Sequence, residues 1–239
     1  MKIINEFDQL VGEELLNWKG SKSPNGEGII GNYCRLERLS VEKHSSELYS
    51  AYSQAPDSRD WTYLAKGPFN TLSDYQDYLD NITELVDPIH YAIIDLKSNK
   101  PVGTVALMRI DSENGVIEIG HITYSPLMKR SRISTEVFFL LLNYIFKDLG
   151  FRRLEWKCDS LNAPSIAAAK RFGFTLEGVF RQAIVTRSRN RDTAWFSIID
   201  SEFDGINSAL NDWLSPSNFD SNGNQLNKLS ELRLNKVNK

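Results

Sequence analysis

EIGHITYSPLMKRSRISTEVFFLLLNYIFKDLGFRRLEWKCDSLNAPSIAAAKRFGF, Glu118 to Phe174, is the stretch that decides the fold. It opens as an apolar strand and passes through a short basic loop. From Ser134 the apolar positions Val137, Leu140, Leu141, Tyr144 and Ile145 recur at helical spacing, with Glu136 near the start, Lys147 near the end and Gly150 beyond. Leu154 to Cys158 alternates as a second strand, and a strand-helix-strand unit of this length implies a right-handed crossover with parallel strands. Asn162 then caps a helix through Phe172, with Pro164 in its first turn and Gly173 at its end. Strand, basic loop and helix N-terminus in that order make a cradle for a pyrophosphate, because unpaired helix amides and the positive dipole end face the anion.

Working outward, His90 to Leu96 and Val102 to Ile110 are apolar runs joined by the polar turn Ser98-Asn99-Lys100-Pro101. With Val116 to Tyr124 they make an antiparallel meander of three strands. Asn32 to Leu39 reads as an earlier strand. Helical patterns follow over Ser45 to Ser53 and Leu72 to Thr83, with the aromatic segment WTYLAKGPF, Trp61 to Phe69, between them. On the far side, Val179 to Val185 and Thr193 to Ile199 form a closing hairpin around the arginine-rich loop TRSRNRD, and a short helix runs to Leu214. The domain organisation expected is an extension over 1–30, one domain over 31–203, and a C-terminal helix with a polar tail over 204–239. The segment KSPNGEG, Lys22 to Gly28, reads as a loop within the extension.

The formal charge of −3, from 28 Lys and Arg against 31 Asp and Glu, creates no global field for a nucleic acid or an anionic membrane, so anion recognition has to be local. Neither of those is an expected partner. Cys34 and Cys158 lack metal-ligand spacing and the three histidines are isolated, so no metal is expected. The N-terminal MKIINEFDQL has no secretory apolar run, and a reducing cytoplasmic address, or a nuclear one, is the expectation. Monomer and homodimer are both open.

The order of elements, together with EIGHITYSP (Glu118 to Pro126), KRSRISTE (Lys129 to Glu136), NAPSIAAAKRFGF (Asn162 to Phe174) and RNRDTAWFS (Arg189 to Ser197), resembles the GCN5-related N-acetyltransferase (GNAT) superfamily, in particular its RimJ and RimL-like branch of protein N-terminal acetyltransferases. The resemblance implies an α/β (α+β) fold with a mixed central sheet of about seven strands and flanking helices. It implies acetyl-CoA as co-substrate, lying where the fourth and fifth strands splay apart. The pantetheine arm would pair with the backbone of Ile122, Thr123 and Tyr124, and the pyrophosphate would rest on Lys129, Arg130, Ser131, Arg132, Ile133, Ser134 and Thr135. Asn162 and Ser165 would face the cofactor, although each also has a plain structural role in the first turn of its helix. The implied reaction is direct attack of a neutral primary amine on the acetyl carbonyl in a ternary complex. An α-amine, of a small molecule or a protein N-terminus, deprotonates more easily than a lysine amine and is the favoured acceptor. The resemblance puts Glu118 beside the acceptor site as candidate base, against the alternative of a structural carboxylate, with His121 as second candidate. Trp61, Tyr63 and Phe69 would wall the acceptor pocket or else pack beneath the first helices.

Two departures stand out. The family's loop pattern is Gln or Arg, two residues, Gly, one residue, then Gly or Ala, whereas Lys129, Arg132 and Ser134 stand here. Arginine for glycine restricts positive φ and adds a side chain, which either crowds the phosphates or supplies a guanidinium contact. Many members also place a tyrosine acid seven residues after the helix-opening asparagine, and this chain has Ala169. These departures sustain a rival reading from another class, a degenerate GNAT-fold module that binds CoA or a protein without transferring acetyl.

Overall fold

The computed structural model describes residues 3–237. In chain order the strands are β1 (Ile3–Ile4), β2 (Leu10–Val11), β3 (Ile29–Ile30), β4 (Cys34–Arg38), β5 (Ile89–Asp95), β6 (Lys100–Asp111), β7 (Val116–Tyr124), β8 (Arg153–Asp159), β9 (Thr175–Thr186) and β10 (Arg189–Ile199). The helices are α1 (Val41–Tyr52), α2 (Leu72–Thr83), α3 (Arg132–Asn143), α4 (Ala163–Phe172), α5 (Asp200–Leu214) and α6 (Leu229–Val237). β1 and β2 form a separate hairpin. The main sheet has eight strands in the order β3-β4-β5-β6-β7-β8-β10-β9, so the two-residue β3 adds an edge to the seven strands expected. All neighbours are antiparallel except β7 and β8, the parallel pair that the α3 crossover requires.

Strand alternation sorts the interior into two layers. On β5, Ile89, Tyr91 and Ile93 join the larger core with Val137, Phe138 and Leu141 of α3, while Ala92 and Ile94 face the other way against Leu48 of α1 and Leu79 of α2. Each strand residue changes face at every step, so one run of apolar residues serves both layers.

The turns differ from the sequence reading in instructive ways. Asp95 accepts the backbone N–H groups of Lys97 and Ser98, and Asn99 takes a positive φ of 56°. The β5–β6 turn therefore closes over Leu96 to Asn99, and Pro101 lies inside β6 beside an irregularity in the ladder, where a missing N–H is tolerated. Arg187 and Ser188 both have positive φ, 49° and 60°, a two-residue turn whose twist suits a hairpin. Pairing consequently continues to Arg189↔Thr186, and Arg189 and Arg191 lie in β10 rather than in a loop. α1 starts at Val41 because Ser40 accepts the Lys43 amide as N-cap.

α5 is longer than expected and lays Phe203, Ile206, Leu210 and Trp213 into the main core. Residues beyond Leu214 are more than a polar tail: Leu229 is buried, and the Phe219 ring lies 3.7 Å beneath the Arg132 guanidinium. At the other end, Trp18 donates its indole N–H to the Glu113 carbonyl at 2.7 Å and packs over Gly115.

Candidate active site

β7 and β8 pair only through Val116↔Arg153, Ile117↔Leu154 and Glu118↔Glu155. Beyond Glu118 the two strands have no ladder partner in each other, and a cavity of about 700 Å³ opens between them. On its other edge β7 carries a bulge. Thr104 pairs with Thr123 and Ala106 with Gly120, so His121 and Ile122 stand against Val105 alone. His121 adopts φ +47° there, a left-handed conformation that costs a non-glycine residue energy and that recurs at functional sites.

A second cavity, about 600 Å³, lies between the sheet and helices α1 and α2. Leu64, Ala65, His121 and Thr123 line both cavities. His121 is thus the single ionisable residue at their junction. It is accessible from the cleft yet surrounded by protein on most sides. Desolvation, with the Arg109 charge adding to it, holds its imidazole below the usual histidine range, so the ring is neutral and able to accept a proton at neutral pH. Its ring centroid is 5.1 Å from that of His90.

Glu118 sits at the fork in a different condition. Its Oε2 is 2.8 Å from Lys157 Nζ and 3.4 Å from Arg109 Nε. Lys157 also reaches Glu155 Oε2 at 2.6 Å and lies 3.9 Å over the Trp195 ring. Burial raises the Glu118 carboxyl against the pull of both cations. Glu155 goes the other way, because its bonds to Lys157 and Arg153 outweigh its desolvation. Burial makes this carboxyl easier to protonate than a free one, yet a proton there would strip buried Lys157 of one of its two anions, and the contacts to Lys157 and Arg109 commit it to anchoring cations.

The loop from Lys129 to Thr135 is less uniform than its charge suggests. Lys129 is ion-paired with Asp60, and Arg132 donates to the Tyr33 hydroxyl at 3.3 Å while stacking on Phe219. Arg130 makes no ion pair among the described residues and has φ +59°. The Ser131 side chain donates to the Met128 carbonyl instead of capping α3, and Ser134 donates back to Ser131. The first-turn amides around Ile133 therefore receive no side-chain acceptor, as an anion cradle requires. Thr135 is buried, accepting from Arg171, and lies below the cradle. Tyr124 has its ring in the main core, so only its backbone is at the cleft edge.

At the α4 end, Asn162 Oδ1 accepts the Ser165 amide at 3.2 Å, and the Ser165 hydroxyl accepts the Trp156 indole N–H at 2.9 Å. Both line the larger cavity while serving the helix. Trp61 and Phe69, in edge contact at 5.5 Å, line the smaller cavity. Tyr63 lines the larger one and donates its hydroxyl to the Leu161 carbonyl at 2.9 Å. With Lys129–Asp60 and an Arg187 guanidinium bond to the Gly67 carbonyl, this ties the 54–71 segment across the mouth of the cleft.

Lys157, Trp195 and His90 are the site residues that the sequence reading did not single out. Lys157 and Glu155 fall on the polar phase of the alternating LEWKCD strand, a signal available in the sequence that reads as solvent-facing until the register sets Glu118 beside it. His90 is only 3 % exposed, and burial first, then the His121 and Arg38 charges, lowers its pKa to about 4. The unfolded value near 6.5 is the higher of the two, so folding stability is full above that pH and is lost as pH falls toward about 4. The gap is worth roughly 3 kcal/mol. Replacing His90 with Gln should flatten the difference in melting temperature between pH 7.5 and 4.5, and an unchanged acid limb in paired melts would assign it to other groups.

Among the described residues no helix is long and apolar enough to cross a membrane, and no three His, Cys, Asp or Glu side chains are grouped to hold a metal. The family profile described as Acetyltransferase (GNAT) domain matches residues 35–175, more than half of the chain. A GCN5-related N-acetyltransferase structure from Brucella melitensis is 46% identical, with a TM-score of 0.90 over 92% of this chain and 99% of that one. The structure described as a probable acetyltransferase of the GNAT family from Chromobacterium violaceum is 37% identical, with a TM-score of 0.75 over 81% of this chain and 96% of that one. The N-acetyltransferase p20 of Bacillus licheniformis, itself uncharacterized, is 26% identical over 72% of this chain and 96% of its own length. The forked strand pair and these likenesses agree: the chain belongs to the GNAT family of N-acetyltransferases.

Proposed function

We propose that the protein moves the acetyl group of acetyl-CoA to a primary amine by direct attack in a ternary complex, with His121 as the base, and that it works in the manner of the RimJ and RimL-like branch. The observation that carries this is the position of His121, the one ionisable residue facing both cavities. The residues present suit the co-substrate. The cleft-side backbone of Ile122, Thr123 and Tyr124 has no ladder partner on β8, the α3 first turn is uncapped, and Arg130 stands beside it. When bound, acetyl-CoA supplies an activated thioester. His121 accepts the proton that the attacking amine must lose. Ala169 is fully buried and offers no acid, so His121 or water is left to protonate the departing sulfur. Glu118 and Lys157 hold the fork below it.

Titration with acetyl-CoA tests this reading. At about 100 times its Kd the ligand adds roughly 2.7 kcal/mol, equivalent to about 5–10 °C in melting temperature for a chain of this size. Acetyl-CoA-dependent release of CoA should then require an amine. Binding without amine-dependent release would leave only a CoA-binding module. Arg130→Gly gives a sharper check, since it removes the guanidinium and relieves the positive φ together. Affinity for acetyl-CoA should fall roughly tenfold, about the worth of one charge-assisted bond, while the ligand-free protein melts no lower than its parent. Unchanged affinity would remove Arg130 from the cradle.

A further inference from the structure

We infer that the amine acceptor carries a bulky uncharged apolar group, aromatic or branched aliphatic, beside its reacting nitrogen, and that this group seats in the 600 Å³ cavity between α1, α2 and the sheet. The inference rests on the acetyl-transfer reading for the role of that cavity.

The cavity is walled by aromatic rings that are only half-buried. Tyr52, Trp61, Phe69 and Tyr78 keep part of their surface uncovered, and each lines the cavity. Their arrangement is fixed by ring-on-ring contacts: Tyr52 on Trp61 at 5.5 Å, Trp61 on Phe69 at 5.5 Å and Phe69 on Tyr78 at 5.0 Å. The Tyr52 hydroxyl is already spent on Thr104 Oγ1 and the Thr123 carbonyl, both at 3.3 Å. These rings present rigid apolar faces toward open space, an arrangement suited to burying an apolar ligand. A space of that size is far more than a serine or alanine side chain would fill.

The charges point the same way. No carboxylate lines the cavity, and its single formally charged lining residue is Lys66. Arg38 and Arg109 act on the two histidines from outside. His90, on the cavity wall, has its own protonation suppressed, so the site penalises positive charge even on imidazole. An acceptor with a second ammonium group, such as a polyamine, would meet cations and no counter-charge. Asn81, Thr104 and Thr123 are the uncharged polar residues of the lining, a small polar share beside the aromatic and aliphatic walls. His121 and Thr123 then set the amine end at the junction with the larger cavity.

Phenethylamine, a Phe-initiated tripeptide, a Ser-initiated tripeptide and spermidine separate the cases. Each is assayed for CoA release with acetyl-CoA, and phenethylamine and spermidine are also titrated calorimetrically into the cofactor-free protein. The expected result is kcat/KM at least tenfold higher for phenethylamine or the Phe-initiated peptide than for spermidine or the Ser-initiated one. Preference between the first two assigns a free amine or a protein N-terminus as the source. Phe69→Ala should lower kcat/KM for the apolar acceptors at least tenfold and leave the acetyl-CoA melting shift in place, with Phe69→Leu recovering part of the loss. Binding of phenethylamine that Phe69→Ala weakens, with no CoA release from any amine, would uphold the cavity and sink acetyl transfer. Fastest release with spermidine or the Ser-initiated peptide would uphold transfer and overturn the cavity, as would no calorimetric preference for phenethylamine.

Discussion

His121→Asn should lower kcat by about 10²- to 10⁴-fold, the range a positioned general base supplies, while acetyl-CoA still raises the melting temperature as in the parent. Asparagine suits this test because it tolerates the left-handed backbone that position 121 adopts, so the bulge survives while the base is removed. The pH profile carries a second signature. A His121 base would work only when neutral, and the His121 pKa lies below the ordinary 6.5 because of desolvation and Arg109. Besides the acid limb that deprotonation of the acceptor amine imposes on both proteins, the parent should show a further limb below 6.5 that the Asn variant lacks. Glu118→Gln is the informative contrast. Its carboxylate is committed to Lys157 and Arg109, so its loss should lower the melting temperature and reduce kcat less than the His121 change does. A kcat loss confined to Glu118→Gln, with His121→Asn near parental rates, would return the base to the carboxylate.

That ranking reverses the order in which the sequence offers the two candidates, and the reason is local. The strand EIGHITY reads as a regular alternation, and nothing in it announces that His121 and Ile122 will share one partner on β6. Bulges are set by how two strands meet, and the decisive partner, Val105, lies in another element. The crossover unit was legible because periodicity of 3.6 and 2 is written into contiguous residues, and the Asn162 cap and the Gly173 end of α4 follow from residue type. The parallel pairing of β7 and β8 followed from the length of the crossover. What could not be read were contacts across long separations in sequence. Arg132 reads in the sequence as a phosphate ligand or an obstacle to one, and in the fold its guanidinium lies on Phe219. Lys129 is paired with Asp60 from the α1–α2 segment. The basic loop was recognisable as a loop, but which of its three cations is left to meet an anion depends on residues far away in the chain.

Glu136→Ala should be among the most destabilising single changes in the chain, costing roughly 3–5 kcal/mol, or about 6–20 °C in melting temperature. In the sequence Glu136 reads only as an acidic residue near the start of a helix. In the fold it is 2 % exposed. Its Oε1 accepts the Asn32 amide at 2.7 Å, and its Oε2 accepts those of Tyr33 and Cys34 at 2.7 and 2.8 Å. One side chain on α3 thereby satisfies the backbone where the chain turns from β3 into β4. Alanine would leave three N–H groups without that acceptor, and an unmade buried bond costs more than a made one contributes. Gly31 is shaped to the same contact, since a Cβ there would lie 2.6 Å from the Glu136 carboxyl carbon. Gly31→Ala should consequently destabilise as well, and its effect should not add to that of Glu136→Ala, because the clash disappears with the carboxylate. Glu136→Gln should fall between parent and alanine, since an amide keeps one acceptor oxygen but turns an N–H₂ toward a backbone donor. Thermal melts of the four proteins and the double variant decide the matter. A Glu136→Ala protein melting within about 2 °C of the parent would show that water replaces the carboxylate at little cost, and α3 would then owe its position to Val137, Phe138 and Leu141 alone.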